Sequence, residues 1–392
     1  MDDNPKIHFQ NTCDLKVNNF SLPLVSVIIV NYNYGRFVRE AVDSVFVQNY
    51  PNIECIIVDN ASTDDSGNIL VDLSRQYPSA AILRRSDNGG QSIASKEGFE
   101  ASAGEYVVFL DADDVLLPAF IETHIFVHLS LRIPVGLSSS DMIQAVDSRM
   151  VLGTIYGLSE YVRSGRGKRS GIMRRVDESA FAMWPLPGPD AALQDQVHLM
   201  EPCDLGTWVW APTSGCCFRR DALQLFLNNE ALGALRSCTD AYLIRGISVL
   251  MGSVLIDRPL GVYRLHGMNV FSKHPHLHCL VSYEGGGLSG DDQLGRKMVI
   301  DHLIANAKLF LRKSHSPQHY MNALMALDDH WPRLPSTVAG CRSYLAGKIV
   351  TEAGALAPAL GFSNLIDLLR RLKVAPHVIL KACLKCKTAK RR

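Results

Sequence analysis

Three short runs of apolar, largely β-branched residues constrain this chain most: residues 24–30 (LVSVIIV), 53–58 (IECIIV) and 106–110 (YVVFL). A strand with one wet face alternates apolar and polar residues. These runs are nearly continuous, so they predict strands covered on both faces, as in a parallel sheet. Helical patterns lie between them. Phe37, Val38, Ala41, Val42, Val45 and Phe46 recur at helical spacing after a break at residues 31–35, and Pro51-Asn52 ends that unit. Residues 59–65 (DNASTDD) are rich in helix-capping types and precede Ile69, Leu70, Leu73 and Tyr77. Residues 80–83 give a further short strand, and Asn88-Gly89-Gly90 opens a helix running to about Ala101. Strand alternating with helix predicts a doubly wound α/β layer, whose polar loops gather at the carboxyl ends of the strands, where such sheets bind ligands.

The rest of the chain is less regular. From about residue 130 the pattern loses its period. Residues 159–175 (SEYVRSGRGKRSGIMRR) are basic, Gly-rich and poor in apolar residues, which predicts a mobile loop, and residues 184–189 (WPLPGP) predict another. From Asp291 onward, Leu294, Met298, Leu303, Ile304 and Phe310, then Leu365, Ile366 and Leu369, predict an all-helical region ending in a basic tail over residues 381–392. The expected organisation is a flexible arm over residues 1–22, an α/β half over 23–130, a second half with mobile loops over 131–285, and a helical region over 286–392.

Size and charge exclude several classes. The 392 residues suffice for a large core, and the net charge of +1 offers no global field for nucleic acid. The polar, acidic start lacks the basic-then-apolar order of an export signal, so a cytoplasmic location is expected. The apolar run at 247–256 is too short to span a bilayer and predicts a buried strand or helix. The ten cysteines are scattered, so reduced thiols are expected; Cys383 and Cys386 have the spacing of half a zinc site without a matching pair nearby.

The chemistry concentrates at Asp111-Ala112-Asp113-Asp114, directly after a buried strand. Three carboxylates within four residues repel one another and resist desolvation. A divalent cation offsets that repulsion. Hard oxygen ligands suit magnesium or manganese, which also bridge the oxygens of a bound diphosphate. A solvated turn capping a helix is the alternative reading of the same four residues.

Residues 25–33 (VSVIIVNYN), 56–64 (IIVDNASTD), 88–91 (NGGQ) and 104–114 (GEYVVFLDADD), in this order and spacing, closely resemble the family-2 glycosyltransferases of GT-A fold over residues 24–118. The resemblance implies a GT-A (Rossmann-like), mostly parallel sheet flanked by helices. It also implies an inverting transferase that uses a nucleoside-diphosphate sugar as donor and a divalent metal (Mn or Mg). By the same resemblance Asn31, Tyr32 and Asn33 border the nucleotide base, and Asp59 and Asn60 recognise base or ribose. Many relatives carry two acidic residues at 59–60, from which Asn60 departs. Asn88, Gly89 and Gly90 let the chain pass close to the nucleotide. Asp111 contacts the ribose and Asp113 binds the metal, joined by Asp111, while His266, at the end of Tyr263-Arg264-Leu265-His266, binds the metal or the diphosphate. Where the family helix carries Ala-Arg-Asn this chain reads Ala94-Ser95-Lys96, so Arg84 and Arg85 are candidate replacements for the missing charge.

Further along, residues 213–220 (TSGCCFRR) resemble the family segment beside the acceptor, and Thr239-Asp240 stands where many relatives have Glu-Asp. The resemblance makes Asp240 the catalytic base, against a plain capping role at a helix start. Trp208 and Trp210 are candidates for stacking on a sugar ring or for core positions. The implied partners are the nucleotide-sugar donor and a carbohydrate or lipid-linked acceptor, with no nucleic acid. Apolar residues mixed with Lys and Arg over 368–390 permit peripheral membrane contact. The rival readings are a nucleotidyltransferase and an inactive sugar- or nucleotide-binding protein. Against the first, residues 31–36 (NYNYGR) lack a Gly-rich, basic phosphate loop. Against the second, Asp111, Asp113 and Asp240 are all present.

Overall fold

The structure is a computed structural model that describes residues 21–154, 156–167, 171–174, 191–206, 208–267, 269, 290–329 and 335–389. Residues 1–20 of the expected arm, the 184–189 loop, residues 168–170 and 175 of the basic loop, and residues 390–392 of the tail lie outside these residues. The first half contains β1 (Val25–Asn31), α1 (Gly35–Phe46), β2 (Ile53–Asp59), α2 (Ser66–Gln76), β3 (Ala81–Arg84), α3 (Gln91–Ala101) and β4 (Tyr106–Asp111). β1, β2, β3 and β4 pair in parallel in the order β3-β2-β1-β4. β1 shows why its residues do not alternate. Ile28 packs with Ala94 and Phe99 of α3 on one face, and Val27 and Ile29 pack with Val38 and Val42 of α1 on the other. The contact with α3 is close: a Cβ on Gly98 would lie 2.3 Å from Ile28 Cγ2.

The chain continues through β5 (Val115–Leu116), α4 (Phe120–Ser130), β6 (Leu137–Val146), β7 (Arg149–Leu152), α5 (Tyr156–Arg163), β8 (Val197–Met200), β9 (Cys216–Arg219), α6 (Arg220–Leu227), α7 (Thr239–Met251) and β10 (Ser253–Leu265). These strands extend the same sheet, in the order β4-β9-β6-β10-β5, with β7 on β6 and β8 on β10. β9 lies antiparallel between β4 and β6 and joins the two halves, while β6 and β10 are parallel.

The expected irregularity after residue 130 is therefore corrected. β6 escapes notice because it reads LSSSDMIQAV, yet Ser138, Ser139 and Ser140 are all fully buried. Their hydroxyls are satisfied: Ser138 Oγ meets His124 Nδ1 at 2.6 Å, Ser139 Oγ accepts from Ala211 N at 2.9 Å, and Ser140 Oγ donates to Gly215 O at 3.3 Å. Buried hydroxyls with partners cost little, but they erase the hydropathy pattern of a strand. The predicted loop at 159–175 is corrected in part, since residues 159–163 end α5 and Met173 bridges to Leu131. Residues 247–256 divide between the end of α7 and the start of β10.

The last region is helical: α8 (Gly290–Ala305), α9 (Ala307–Lys313), α10 (Pro317–Asp329), α11 (Tyr344–Thr351), α12 (Ala353–Leu360), α13 (Phe362–Arg371) and α14 (Pro376–Ala389). Its apolar face is continuous with the core beneath α6 and α7, from Phe226 and Ile244 through Val299 and Leu324 to Ala382. The tail expected from residue 381 is helical to Ala389. Cys386 is buried, its thiol directed at Ala353 O (3.3 Å), and among the described residues no group of three or more His, Cys, Asp or Glu side chains could hold a metal. No helix among the described residues is long and apolar enough to cross a membrane.

Candidate active site

The strand order reverses between β1 and β4, so their carboxyl ends open onto one crevice, the usual ligand position of such a sheet. A cavity of about 380 Å³ lies there, within the range of small-ligand sites. Tyr32, Asn60, Asn88, Gly90, Asp111, Asp113 and Asp240 line it. Four other sequence candidates stand behind its wall. Asn31 Nδ2 donates to Asp59 Oδ1 (3.0 Å) and to Ser62 Oγ (3.1 Å). Asn33 takes left-handed backbone (φ 58°), and its Oδ1 accepts from the N–H of Thr63 (2.7 Å) and Asp64 (3.3 Å). Asn31, Asn33 and Asp59 thus fasten the loops after β1 and β2 and do not face the cavity. The fourth, His266, touches Asp113 at 2.8 Å.

Asn60 explains its own departure from the acidic pattern. Its Nδ2 donates to Asn88 Oδ1 (3.1 Å) while its Oδ1 accepts from Gly89 N (3.1 Å). An ionised carboxylate would accept the second bond and lose the first. Gly90 lines the cavity and also makes a close backbone contact. At φ 83°, a Cβ here would lie 2.8 Å from Arg236 Cα and 2.9 Å from Arg236 O, so the missing side chain admits the backbone before α7. Gln91 N donates to that same carbonyl (2.9 Å), and Arg236 Nη2 returns to Asn88 O (2.9 Å) and Asn88 Oδ1 (3.1 Å).

The starts of α3 and α7 are joined a second time. Thr239, where the family has Glu, is buried with its hydroxyl 2.7 Å from Ser92 Oγ. This contact holds Asp240 at the cavity, where Asp240 Oδ1 accepts from Ala241 N (2.8 Å). Burial raises the Asp240 carboxyl above the ordinary range, opposed by the Ala241 N–H and by the charge of Arg245.

The aspartates after β4 are held from three directions. Asp111 N donates to Ser214 Oγ (3.1 Å), and Asp111 Oδ1 accepts from Gln91 Nε2 (3.1 Å). Asp113 Oδ2 lies 2.8 Å from His266 Nε2, and Asp114 Oδ1 accepts from Arg264 N (3.2 Å) at the end of β10. Residues 263–265 belong to β10 itself. Asn269 ties this corner together: its Oδ1 accepts from His266 N (2.9 Å) and its Nδ2 donates to Arg264 O (2.7 Å).

Burial, with the charges of Asp113 and Asp240, pushes Asp111 up to about 7. Burial and its two neighbours raise Asp114 well above the usual carboxylate range, and Asp114 Oδ2 is buried without a hydrogen-bond partner. A cluster so short of compensating charge fits a divalent cation. The donor set also fits, because a cation on a diphosphate takes one or two carboxylates from the protein and the remaining oxygens from phosphate and water. Asp113 and Asp111 would hold it. In the observed geometry His266 Nε2 orients the Asp113 carboxylate.

The remaining candidates fall away from the cavity. Arg84 Nη2 donates to Gly67 O (3.1 Å), Arg85 pairs with Glu97 and Asp87, and Lys96 pairs with Glu100. The cation that does line the cavity is Arg236, which carries no motif and comes into place through its contacts with Asn88, Gly90 and Gln91. Gln91, Tyr34 and Asn269 are lining residues that sequence reasoning also missed. Trp210 is buried, with Nε1 donating to Ser253 Oγ (2.9 Å), and Trp208 packs against Arg245, whose guanidinium carbon is 5.2 Å from its ring centroid. Neither indole lines the cavity.

A sheet of this order, with carboxylates at its switch point, defines a doubly wound α/β protein with a mostly parallel first half. The family model of glycosyl transferase family 2 matches residues 26–129. An uncharacterised glycosyltransferase of Nostoc is 30% identical over 245 residues, covering 62% of this chain and 66% of the relative. Glycosyltransferase GlyG of Streptococcus pneumoniae is 31% identical over 137 residues, covering 35% of this chain and 40% of that protein. The chain thus spans less than two thirds of these relatives. Among solved structures, residues 1–349 of S. aureus TarS in complex with UDP-GlcNAc align over 94% of this chain and 89% of that one, with 13% identity and a TM-score of 0.47.

Proposed function

We propose that this chain transfers a sugar from a nucleoside-diphosphate donor to an acceptor hydroxyl, with inversion and with a divalent cation. One observation carries the reading. Asp111, Asp113 and Asp240 face a single cavity whose described lining offers Arg236 as its one cationic side chain. Such a site favours a ligand that arrives with its own cation. Tyr32, 42% exposed at the rim, offers a ring face to the base, and the Asn60–Asn88 amides frame the edge beside it. A bound magnesium or manganese would supply charge stabilisation on the departing diphosphate.

The chain's own residues do the rest. Asp240 accepts the proton of the acceptor hydroxyl as its oxygen bonds to the anomeric carbon and the bond from that carbon to the diphosphate breaks. Attack from the face opposite the leaving group inverts the centre. Raised by burial, Asp240 is a better base than a solvated carboxylate. Gln91, bonded to Asp111, and Arg236, bonded to Asn88, fix the donor side of the cavity before the acceptor enters. The test is a panel of nucleotide sugars with manganese, scored by release of nucleoside diphosphate. Release that depends on the cation and on an added hydroxyl acceptor supports the reading. Pyrophosphate released from a nucleoside triphosphate would favour a nucleotidyltransferase, and binding without turnover an inactive descendant.

We further propose that the acceptor is a glycan, free or lipid-linked, met at the cytoplasmic face of a membrane. Leu380 and Leu384 lie one turn apart on α14, 64% and 56% exposed, and every charged residue from Arg370 to Arg392 is Lys or Arg. An exposed apolar strip on a basic helix suits an anionic bilayer surface. Leu380→Ser with Leu384→Ser should weaken flotation with vesicles containing phosphatidylglycerol, and salt should weaken it in the unaltered protein. Equal, salt-insensitive flotation of both forms would reject the contact.

A further inference from the structure

At the start of α1, two aromatic side chains close on His266. Tyr34 precedes the helix, and its carbonyl accepts from the N–H of Phe37 (2.9 Å) and Val38 (3.0 Å), so Tyr34 and Phe37 lie one turn apart on one face. The Phe37 ring centroid is 4.7 Å from that of the His266 imidazole, and the Tyr34 ring makes an edge contact with the imidazole at 5.5 Å. The His266 side chain is only 5% exposed. Its Nε2 lies 2.8 Å from Asp113 Oδ2, the oxygen that also accepts from Asn269 Nδ2 at 3.5 Å. Val38, Ala41, Val42 and Val45 of α1 belong to the apolar core, whereas Phe37 joins none of the apolar clusters of the described residues. Its ring meets charged groups instead. The guanidinium carbon of Arg36 is 4.2 Å from the Phe37 centroid and that of Arg264 is 5.3 Å away. Arg264, whose N–H holds Asp114, also pairs with Glu40 one turn along α1 (2.8 Å).

We propose that Phe37 is a positioning residue for the cation site: it holds the His266 ring in place, and His266 in turn holds the Asp113 carboxylate. The inference rests on the reading of Asp113 as a cation ligand. A Phe on an amphipathic helix ordinarily covers apolar core, and this one covers an imidazole. An imidazole bonded through one nitrogen can still turn about its Cβ–Cγ bond, since that torsion is broad, and each turn releases the carboxylate. The Phe37 and Tyr34 rings restrict the rotation by contact. A carboxylate kept in one orientation binds a cation without the ordering cost that a mobile ligand adds. Phe37 does not itself line the cavity, so its influence on the cation passes through His266.

A double-mutant cycle on manganese affinity tests this, with binding to the whole chain followed by electron paramagnetic resonance in the presence of uridine or guanosine diphosphate. Phe37→Leu keeps the apolar bulk and loses the flat ring. It should weaken manganese binding about 3- to 10-fold, the usual worth of an aromatic contact. His266→Gln should weaken binding at least as much. Adding Phe37→Leu to His266→Gln should cost nothing further, because the ring then has no imidazole to hold. A purely structural role for Phe37 predicts the same loss in both backgrounds, or a lower melting temperature with affinity kept. Losses that multiply, or an unchanged affinity in Phe37→Leu, would overturn the proposal. A second measurement needs no cation. The imidazole N–H at Asp113, identified as the proton signal that His266→Gln removes, should exchange with water about 3- to 10-fold faster in Phe37→Leu than in the unaltered protein. Equal exchange in the two would also overturn it. Should His266→Gln not fold, His266→Asn serves both the cycle and the assignment. Absence of manganese binding in the unaltered protein would sink the cation reading itself, and the proton exchange would still decide whether Phe37 holds His266.

Discussion

The two carboxylate sites that meet in the cavity are built on opposite electrostatic plans. After β4, Asp111, Asp113 and Asp114 face one another with hydrogen bonds but little positive charge, and Asp111 rises to about 7 as a result. At the start of α7, Asp240 is backed by Arg245, which is itself paired with Asp292. The first site lacks a counter-charge and is suited to one brought by a ligand. The second carries its own and is suited to holding or taking a proton. The same side-chain type is thus expected to respond differently to cation, pH and substitution on the two sides.

The largest effect should come from the side that lacks charge. Asp113→Ala removes a ligand from the expected cation and should reduce transfer by about 10³-fold or more, since cation stabilisation of a leaving group is worth several kcal/mol. The metal-free variant should melt no earlier than the unaltered protein at neutral pH, because a buried like charge is gone. Full activity, or activity in excess chelator, would remove the cation from the account. Asp240→Asn should come next, with transfer cut on the order of 10²–10⁴-fold and donor affinity nearly unchanged. Asn caps helices as well as Asp, so a capping role alone predicts near-normal transfer.

Gly90→Ala probes the seam between the two sides. The left-handed φ and the contact with the Arg236 backbone predict a loss of about 1–3 kcal/mol in stability and weaker donor binding. Denaturant unfolding together with nucleotide titration checks both, and an unchanged donor affinity would separate the seam from the site.

The smallest effect is a pH dependence of the cation's stabilisation. With Asp111 and Asp114 raised, the folded chain binds more protons than the unfolded chain between about pH 4 and 7. Stability from this cluster therefore falls as pH rises through that window, and a cation that binds the ionised form restores it. The melting increment from manganese should be near zero at about pH 5 and reach a few degrees at about pH 7.5. Buried His124 and His128 act oppositely. Burial holds His128 down to about 4, so their contribution to stability is lost as pH falls below about 6.5. The increment, and not the absolute melting temperature, is thus the informative readout. An increment independent of pH would place the cation elsewhere.

The same division governs what the sequence discloses. The first half is legible because its strands are apolar on both faces and its carboxylates are adjacent in the chain. Helices α1, α2 and α3 and strands β1, β2, β3 and β4 follow the hydropathy pattern within a few residues. The second half is obscured where buried serines replace apolar residues in β6, and where β10 runs through Asp257-Arg258-Pro259 with register shifts against β6. Within the site, Asp111, Asp113 and Asp240 reach the cavity as the motifs imply. Asn31, Asn33 and Asp59 sit beside cavity residues in sequence but turn their side chains into loop contacts. Arg236 and the Arg245–Asp292 pair carry no local pattern, since each depends on a contact between segments far apart in the chain.

The central claim is that the cavity takes a nucleoside diphosphate together with a cation through Asp111 and Asp113. Calorimetric titration of uridine and guanosine diphosphates into the protein, with manganese and with chelator, tests it most directly. The account predicts that at least one of the two binds in manganese, that chelator abolishes the binding, and that Asp113→Ala abolishes it as well. Equal binding in manganese and in chelator, or an unchanged affinity in Asp113→Ala, would contradict it.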